Sequence, residues 1–271
     1  MERKQWKKVL YEDQEFPTNY TDDTFLESMK KNVNTRMHDL RTVIFESGIV
    51  SQQLASICIL VCVFINLENC RLDPETLILL VSCLLLVGFL VHHLLYQLHP
   101  DISSFLVVSI LIFGFSPILK TLMKTISTDT IYAMTVFMFM CNMLFHDYGV
   151  DVAIVSKAIS LNAGVFGAVC LSSRLQTTIH VYACVYFAVM LFAILPEFRK
   201  AVKKFHRKAY ILQTEGMVLL AISMLNSINQ VGALALFISH VAITFLFPLW
   251  MIRLQALKNN IYGPWDEAMI E

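Results

Sequence analysis

Eight long apolar stretches occupy most of this chain, and its Lys and Arg residues collect at alternate junctions between them. A bilayer core is about 30 Å thick and takes about 20 apolar helical residues to cross. The candidate spans are Gly48–Leu67, Thr76–Leu95, Ile102–Leu119, Thr130–Phe145, Val152–Leu171, Thr178–Leu195, Tyr210–Ile228 and Val231–Ile252. In hydrocarbon every backbone N–H and C=O needs an internal partner, so spans of this length are helices. The expected fold is an all-α, polytopic transmembrane bundle of about eight spans.

Basic residues orient it. With eight spans, 17 of the 21 Lys and Arg residues fall on the side of the N-terminus: eight in Met1–Ser47, six in Pro196–Ala209, then Lys157, Arg253 and Lys258. Arg71, Lys120, Lys124 and Arg174 fall on the other side. Short cytoplasmic loops carry the basic excess, so both termini are expected in the cytoplasm. Acidic and basic residues balance at 21 each, which gives no polyanion-binding signal from net charge.

Residues 1–47 form a cytoplasmic segment and residues 253–271 a cytoplasmic tail. Trp6–Tyr20 is aromatic and charged without helical periodicity. Thr24 and Glu27 then match a capping box, and Leu26, Met29, Val33, Met37, Leu40 and Ile44 recur every three or four residues. The pattern predicts an amphipathic helix, lying on the membrane surface or packed on the protein's own loops. The seven cysteines form no C-x-x-C and read as free thiols.

In the fifth span Ser156, Ser160, Gly164 and Ala168 repeat every four residues. Small residues on one helical face let another backbone approach closely, so this row predicts helix packing, foremost within the chain. Lys157 in the same span snorkels to the cytoplasmic interface or meets a lipid phosphate. His92, His93 and His99 read as interfacial hydrogen bonders rather than metal ligands, and His240 as a satisfied bundle histidine. Pro117 should kink or end the third span. Asp129 or Thr128 should cap the fourth. His146-Asp147-Tyr148-Gly149 follows the fourth span at the water boundary.

No Gly-rich phosphate loop, H-E-x-x-H or G-x-S-x-G occurs. A nucleotide-sugar site normally sits in a soluble α/β domain, and the chain has no room for one. No cofactor and no metal are expected. Residue patterns alone stop at a polytopic membrane protein with a cytoplasmic-facing surface.

Several strings resemble one family closely: Trp6–Tyr20, Gly114–Leu122, Ser127–Met134, Asp147–Gly149 with Ile154–Ser156, Ser160–Asn162, Ile252–Gln255 and Gly263–Ala268. Together they look like the PIG-C family of membrane subunits of phosphatidylinositol N-acetylglucosaminyltransferase. The resemblance implies an endoplasmic reticulum membrane protein in the first step of glycosylphosphatidylinositol (GPI) anchor synthesis, which transfers N-acetylglucosamine from UDP-GlcNAc to phosphatidylinositol. It implies PIG-A, as the catalytic partner, with PIG-H, PIG-P, PIG-Q and PIG-Y as further partners, and no catalytic residue in this chain. The expected role is scaffolding or lipid presentation; the alternative is a lipid or solute transporter, for which an intramembrane polar pathway is needed. The expected partner or lipid surface is Trp6, Tyr11, Phe16, Asp147, Tyr148, Lys157, Trp265 and Asp266, because aromatic side chains on polar segments leave large apolar area in water unless buried. The competing reading is that they fold back on the chain or sit among lipid headgroups.

Overall fold

The structure is a computed structural model; it describes Pro17, Tyr20, residues 30–31, 37–96, 102–148 and 155–255, Leu257 and residues 261–262. Two compact units divide the chain: Arg41–Pro248, and Met1–Leu40 with Leu249–Glu271.

All eight apolar stretches are helical where described, but for a residue or two at their ends. The helices are α1 (Leu40–Glu68), α2 (Pro74–Tyr96), α3 (Ile102–Leu122), α4 (Thr128–Leu144), α5 (Val155–Ser172), α6 (Thr178–Val189), α7 (Leu195–Phe205), α8 (Arg207–Asn226), α9 (Gln230–Val241) and α10 (Phe247–Gln255). Among the described residues, five helical segments are long and apolar enough to cross a membrane: Leu40–Glu68, Pro74–Val91, Thr178–Phe205, Arg207–Asn226 and Gln230–Gln255. Leu106–Leu122 and Ala158–Ser172 are shorter apolar helical stretches.

Burial separates centre from rim. In α1 and in Thr178–Phe205, 61% and 56% of the most apolar window is buried, against 22%, 22% and 17% in the other three segments. The core runs through Leu60, Phe64, Leu67, Val181, Cys184 and Ala188. Leu79, Leu86, Ile110, Phe113, Leu219 and Leu234 stay exposed, as lipid-facing side chains of a bundle should.

Turns are set by local chemistry. Ser127 caps α4, its hydroxyl accepting from the Thr130 N–H at 3.3 Å, so the cap lies one residue before Thr128 and two before Asp129, the expected candidates. Asn229 caps α9. Pro117 does not end α3, which runs on to Leu122; neighbouring helices and hydroxyl side chains make proline tolerable inside membrane helices. At the end of the bundle expected to be lumenal, Arg174 Nη2 donates to the Met123 and Ile126 carbonyls, and Lys120 Nζ donates to the Gln176 carbonyl at 2.6 Å.

Two spans contain a π-helical turn just before a proline. Met190–Ile194 joins α6 to α7 ahead of Pro196, and Ala242–Leu246 joins α9 to α10 ahead of Pro248. The Leu195 N–H reaches the Met190 carbonyl, and the Phe247 N–H the Ala242 carbonyl, each five residues back. A proline removes one N–H and crowds the carbonyl four residues before it, which the wider turn relieves.

The other unit contains a pair of two-residue strands, β1 (Lys30–Lys31) and β2 (Ile261–Tyr262), antiparallel, with Lys30 opposite Tyr262 and Lys31 opposite Ile261. The His38 N–H donates to Gln255 Oε1 at 2.9 Å. This corrects the continuous amphipathic helix expected from Leu26 to Ile44. Lys30 and Lys31 are extended, Met37–Asp39 are not helical, and the membrane helix begins at Leu40. Strand pairing across the sequence outweighs local periodicity there. The Thr24–Glu27 capping box lies outside the described residues.

Candidate functional site

A pocket of about 550 Å³ opens at the end of the bundle where α7 and α8 meet. One wall comes from α1, through Phe45, Glu46, Ile49 and Gln52. His146 and Asp147 arrive from the residues after α4, and Tyr210 from the first turn of α8. The floor and mouth come from α7, which continues from the π turn with Pro196 as its second residue. On α7, Leu195, Arg199 and Val202 share the inner face at helical spacing, while Lys200 and Lys204 turn outward. That phase buries one cation of the basic run.

Arg199 is 4% exposed. Its Nη2 donates to Gln53 Oε1 at 3.3 Å. Gln53 Nε2 donates to Asn142 Oδ1 at 2.6 Å, and Asn142 Nδ2 to the Ser160 carbonyl at 2.8 Å. The Ser160 hydroxyl donates back to the Asn142 carbonyl at 2.8 Å. A polar relay thus crosses from α7 through α1 and α4 to α5. Arg199 Nε and Nη1 have no hydrogen-bond partner among the described residues, nor do Gln52 Oε1 and the Tyr210 hydroxyl. Buried polar groups are normally satisfied, so four such atoms around one pocket are informative.

The mouth is charged but partly neutralised. Lys200 Nζ is 2.7 Å from Asp147 Oδ2, and Lys203 pairs with Glu46. Lys203 also lies 5.8 Å from the ring centroids of Phe45 and Tyr210, which meet edge to face. Four cations against two carboxylates line the pocket. Burial, and then Arg199 and Lys200, push the His146 imidazole down to about 4, against the opposing pull of Asp147. It is neutral at physiological pH. The excess of cations over carboxylates in the lining suits an anion, with no charge added by His146.

Of the residues singled out by sequence, the structure brings Asp147 to this pocket. Tyr148 folds back, its hydroxyl donating to the Met143 carbonyl and its ring meeting His146 edge to face at 5.3 Å. Lys157 and Ser156 lie in the first turn of α5. Ser160, Gly164 and Ala168 face the bundle interior: a Cβ on Gly164 would come within 2.8 Å of Asn142 Nδ2 and 2.9 Å of the Phe192 ring. Trp6, Tyr11, Phe16, Trp265 and Asp266 lie outside the described residues. His240 sits 3.2 Å from Ser51 Oγ through Nδ1 and 3.4 Å from Glu215 through Nε2. No group of three or more His, Cys, Asp and Glu that could hold a metal occurs among the described residues.

Arg199, Gln52 and Tyr210 were not singled out by sequence. The helical phase of Arg199 with Leu195 and Val202, and the Gln52-Gln53 doublet inside an apolar span, were the available signals.

The family model GPI2, phosphatidylinositol N-acetylglucosaminyltransferase, matches residues 6–266. The chain belongs to the GPI2 family. Among curated relatives, the C-subunit of phosphatidylinositol N-acetylglucosaminyltransferase from Homo sapiens is 40% identical over 276 residues, covering 98% of this chain and 93% of the relative. The putative C-subunit from Dictyostelium discoideum is 34% identical, covering 98% and 79%. The GPI2 subunit of Schizosaccharomyces pombe is 32% identical, covering 98% and 87%. No solved structure matches. For this GPI2 member, the match spans every helix of the bundle and so every residue of the pocket.

Proposed function

We propose that this chain is a membrane subunit of the complex that transfers N-acetylglucosamine to phosphatidylinositol, the first step of GPI-anchor biosynthesis. The observation that carries the reading is near full-length similarity to relatives named as subunits of that transferase. The protein sits in the endoplasmic reticulum membrane with eight spans and both termini in the cytoplasm, and scaffolds the transferase without performing the sugar transfer. The basic end of the bundle suits an anionic leaflet, where each exposed Lys or Arg contributes about 1 kcal/mol.

Microsomes from cells lacking this chain should make no N-acetylglucosaminyl-phosphatidylinositol from UDP-GlcNAc, and the wild-type chain should restore it. Normal product without the chain would remove the proposal and leave the transporter reading. Trp6 and Trp265, with Tyr11, Phe16, Tyr148 and Asp266, are proposed as a partner surface. The partners are the catalytic PIG-A together with PIG-H, PIG-P, PIG-Q and PIG-Y. Alanine at Trp6 and Trp265 should weaken their co-purification at unchanged protein level; lost expression would instead mean that the aromatics hold up the chain's own fold.

A further inference from the structure

We infer that the Arg199 pocket binds the phosphodiester headgroup of a glycerophospholipid that carries free hydroxyls. Three independent features of the pocket converge on that chemistry.

The first is a buried cation with open donors. Arg199 is 4% exposed, and its Nε and Nη1 have no partner among the described residues. Gln53 supplies the hydrogen-bond acceptor for the guanidinium, a neutral amide oxygen at 3.3 Å. Asp147 and Glu46 are engaged with Lys200 and Lys203. A buried guanidinium without an ionic partner is costly, and its planar fork matches phosphate oxygens.

The second is an acceptor that asks for a donor. The Thr214 hydroxyl spends its proton on the Tyr210 carbonyl at 2.8 Å, so it can only accept from Gln52 Nε2, which lies 2.6 Å away. That fixes the amide and leaves Gln52 Oε1 as an unpartnered acceptor on the pocket wall. A phosphodiester has no proton to give it, whereas a headgroup hydroxyl does. The Tyr210 hydroxyl, also unpartnered, serves either the phosphate or a second hydroxyl.

The third is position. α7 continues an apolar span, and Arg199 lies four residues past Leu195, about 6 Å along the helix. Phe45, Ile49 and Pro196 supply apolar wall beside the charged mouth. A lipid whose phosphate sits at the hydrocarbon boundary fits this arrangement better than a soluble diphosphate. The choice of phosphatidylinositol as that lipid rests on the proposed transferase role; the phosphate-and-hydroxyl chemistry does not.

The test uses the complete transferase purified with wild-type or variant chain and reconstituted in phosphatidylcholine nanodiscs of graded phosphatidylinositol content. Arg199→Gln should raise the apparent KM for phosphatidylinositol on the order of tenfold, the loss of a charge-assisted contact, and leave the KM for UDP-GlcNAc unchanged. Arg199→Lys should recover part of the loss, and Tyr210→Phe should give a smaller rise. A shift confined to UDP-GlcNAc would assign the pocket to the sugar nucleotide and overturn the lipid reading. A fall in kcat with both KM values intact would make Arg199 a packing strut and overturn it as well. Should Arg199→Gln fail to assemble, photoreactive phosphatidylinositol on the wild-type complex decides. Labelling of α1 and α7 peptides upholds the site, and labelling elsewhere in the complex without them removes it. The transferase reading fails separately, if wild-type chain restores no activity to deleted cells; labelling of α1 and α7 peptides in the wild-type chain would then still uphold the lipid site.

Discussion

Gln53 and Asn142 meet through a 2.6 Å hydrogen bond in the middle of the apolar bundle, joining α1 to α4. Both are fully enclosed, at 1% exposure. Each also has a second commitment: Gln53 Oε1 accepts from Arg199, and Asn142 Nδ2 donates to Ser160. The bond therefore couples the pocket floor to the α4–α5 contact. Gln53→Leu strands both Arg199 Nη2 and Asn142 Oδ1, and should cost about 1–3 kcal/mol. Asn142→Leu should cost a similar amount, and the double variant less than the sum of the two. Thermal unfolding of the detergent-solubilised chain reads the cycle; strict additivity would mean that the two amides do not interact.

The small-residue face of α5 predicts a steric series. A Cβ on Gly167 would lie 2.7 Å from Phe139 Cε1, and one on Gly164 would meet Asn142 and Phe192 below 3 Å. Alanine at either position should destabilise by about 1–3 kcal/mol through overpacking. Gly88, Gly114 and Gly216 have nothing within 4 Å of an added Cβ. Alanine there should be neutral or stabilising, since glycine is the poorer helix former by about 1 kcal/mol. Melting temperatures of the five single variants should fall into these two groups.

His146 sets a pH dependence whose sign follows from its surroundings. Burial, then Arg199 and Lys200, hold its folded pKa at about 4, while Asp147 pulls the other way. The unfolded chain takes up the proton near 6.5. Between those values the unfolded state binds more protons, so stability rises with pH across that window and this contribution is flat above it. The melting temperature should drop from pH 7 to pH 5, and His146→Gln should flatten that slope. An unchanged slope would place the titration elsewhere.

Orientation is testable at one residue. Asn19-Tyr20-Thr21 is an N-glycosylation acceptor pattern. With the N-terminus in the cytoplasm it should stay unmodified, and endoglycosidase should produce no mobility shift. A shift abolished by Asn19→Gln would put the N-terminus in the lumen, and with it the basic Pro196–Ala209 segment.

Much of the fold is legible because hydrocarbon leaves the chain few options. Length and hydropathy mark where helix runs among the described residues to within a few residues, and the four-residue spacing of Ser160, Gly164 and Ala168 marks the inner face of α5. The pairing of Lys30–Lys31 with Ile261–Tyr262 has no local signature, because partners that far apart leave no trace in the periodicity of either segment. The pocket is half legible. Asp147 and the lysines announce themselves as charges at a membrane boundary. Arg199 does not: among the six cations of Pro196–Ala209 it is set apart by its helical phase with Leu195 and Val202. Its value depends on Gln52, Gln53 and Tyr210, which come from other helices.

That phase is itself the product of the π turn at Met190–Ile194. An α-helix rotates about 100° per residue, and a π turn takes in one residue more than an α turn, so everything after it is re-aimed by that angle. Arg199 faces Gln53 by virtue of a residue upstream that contributes no side chain to the pocket. Deleting Ala193 would leave all twelve lining residues in the chain and still point the guanidinium away from them. Relatives that differ here by a single insertion or deletion could thus share the pocket's alphabet and lack its word.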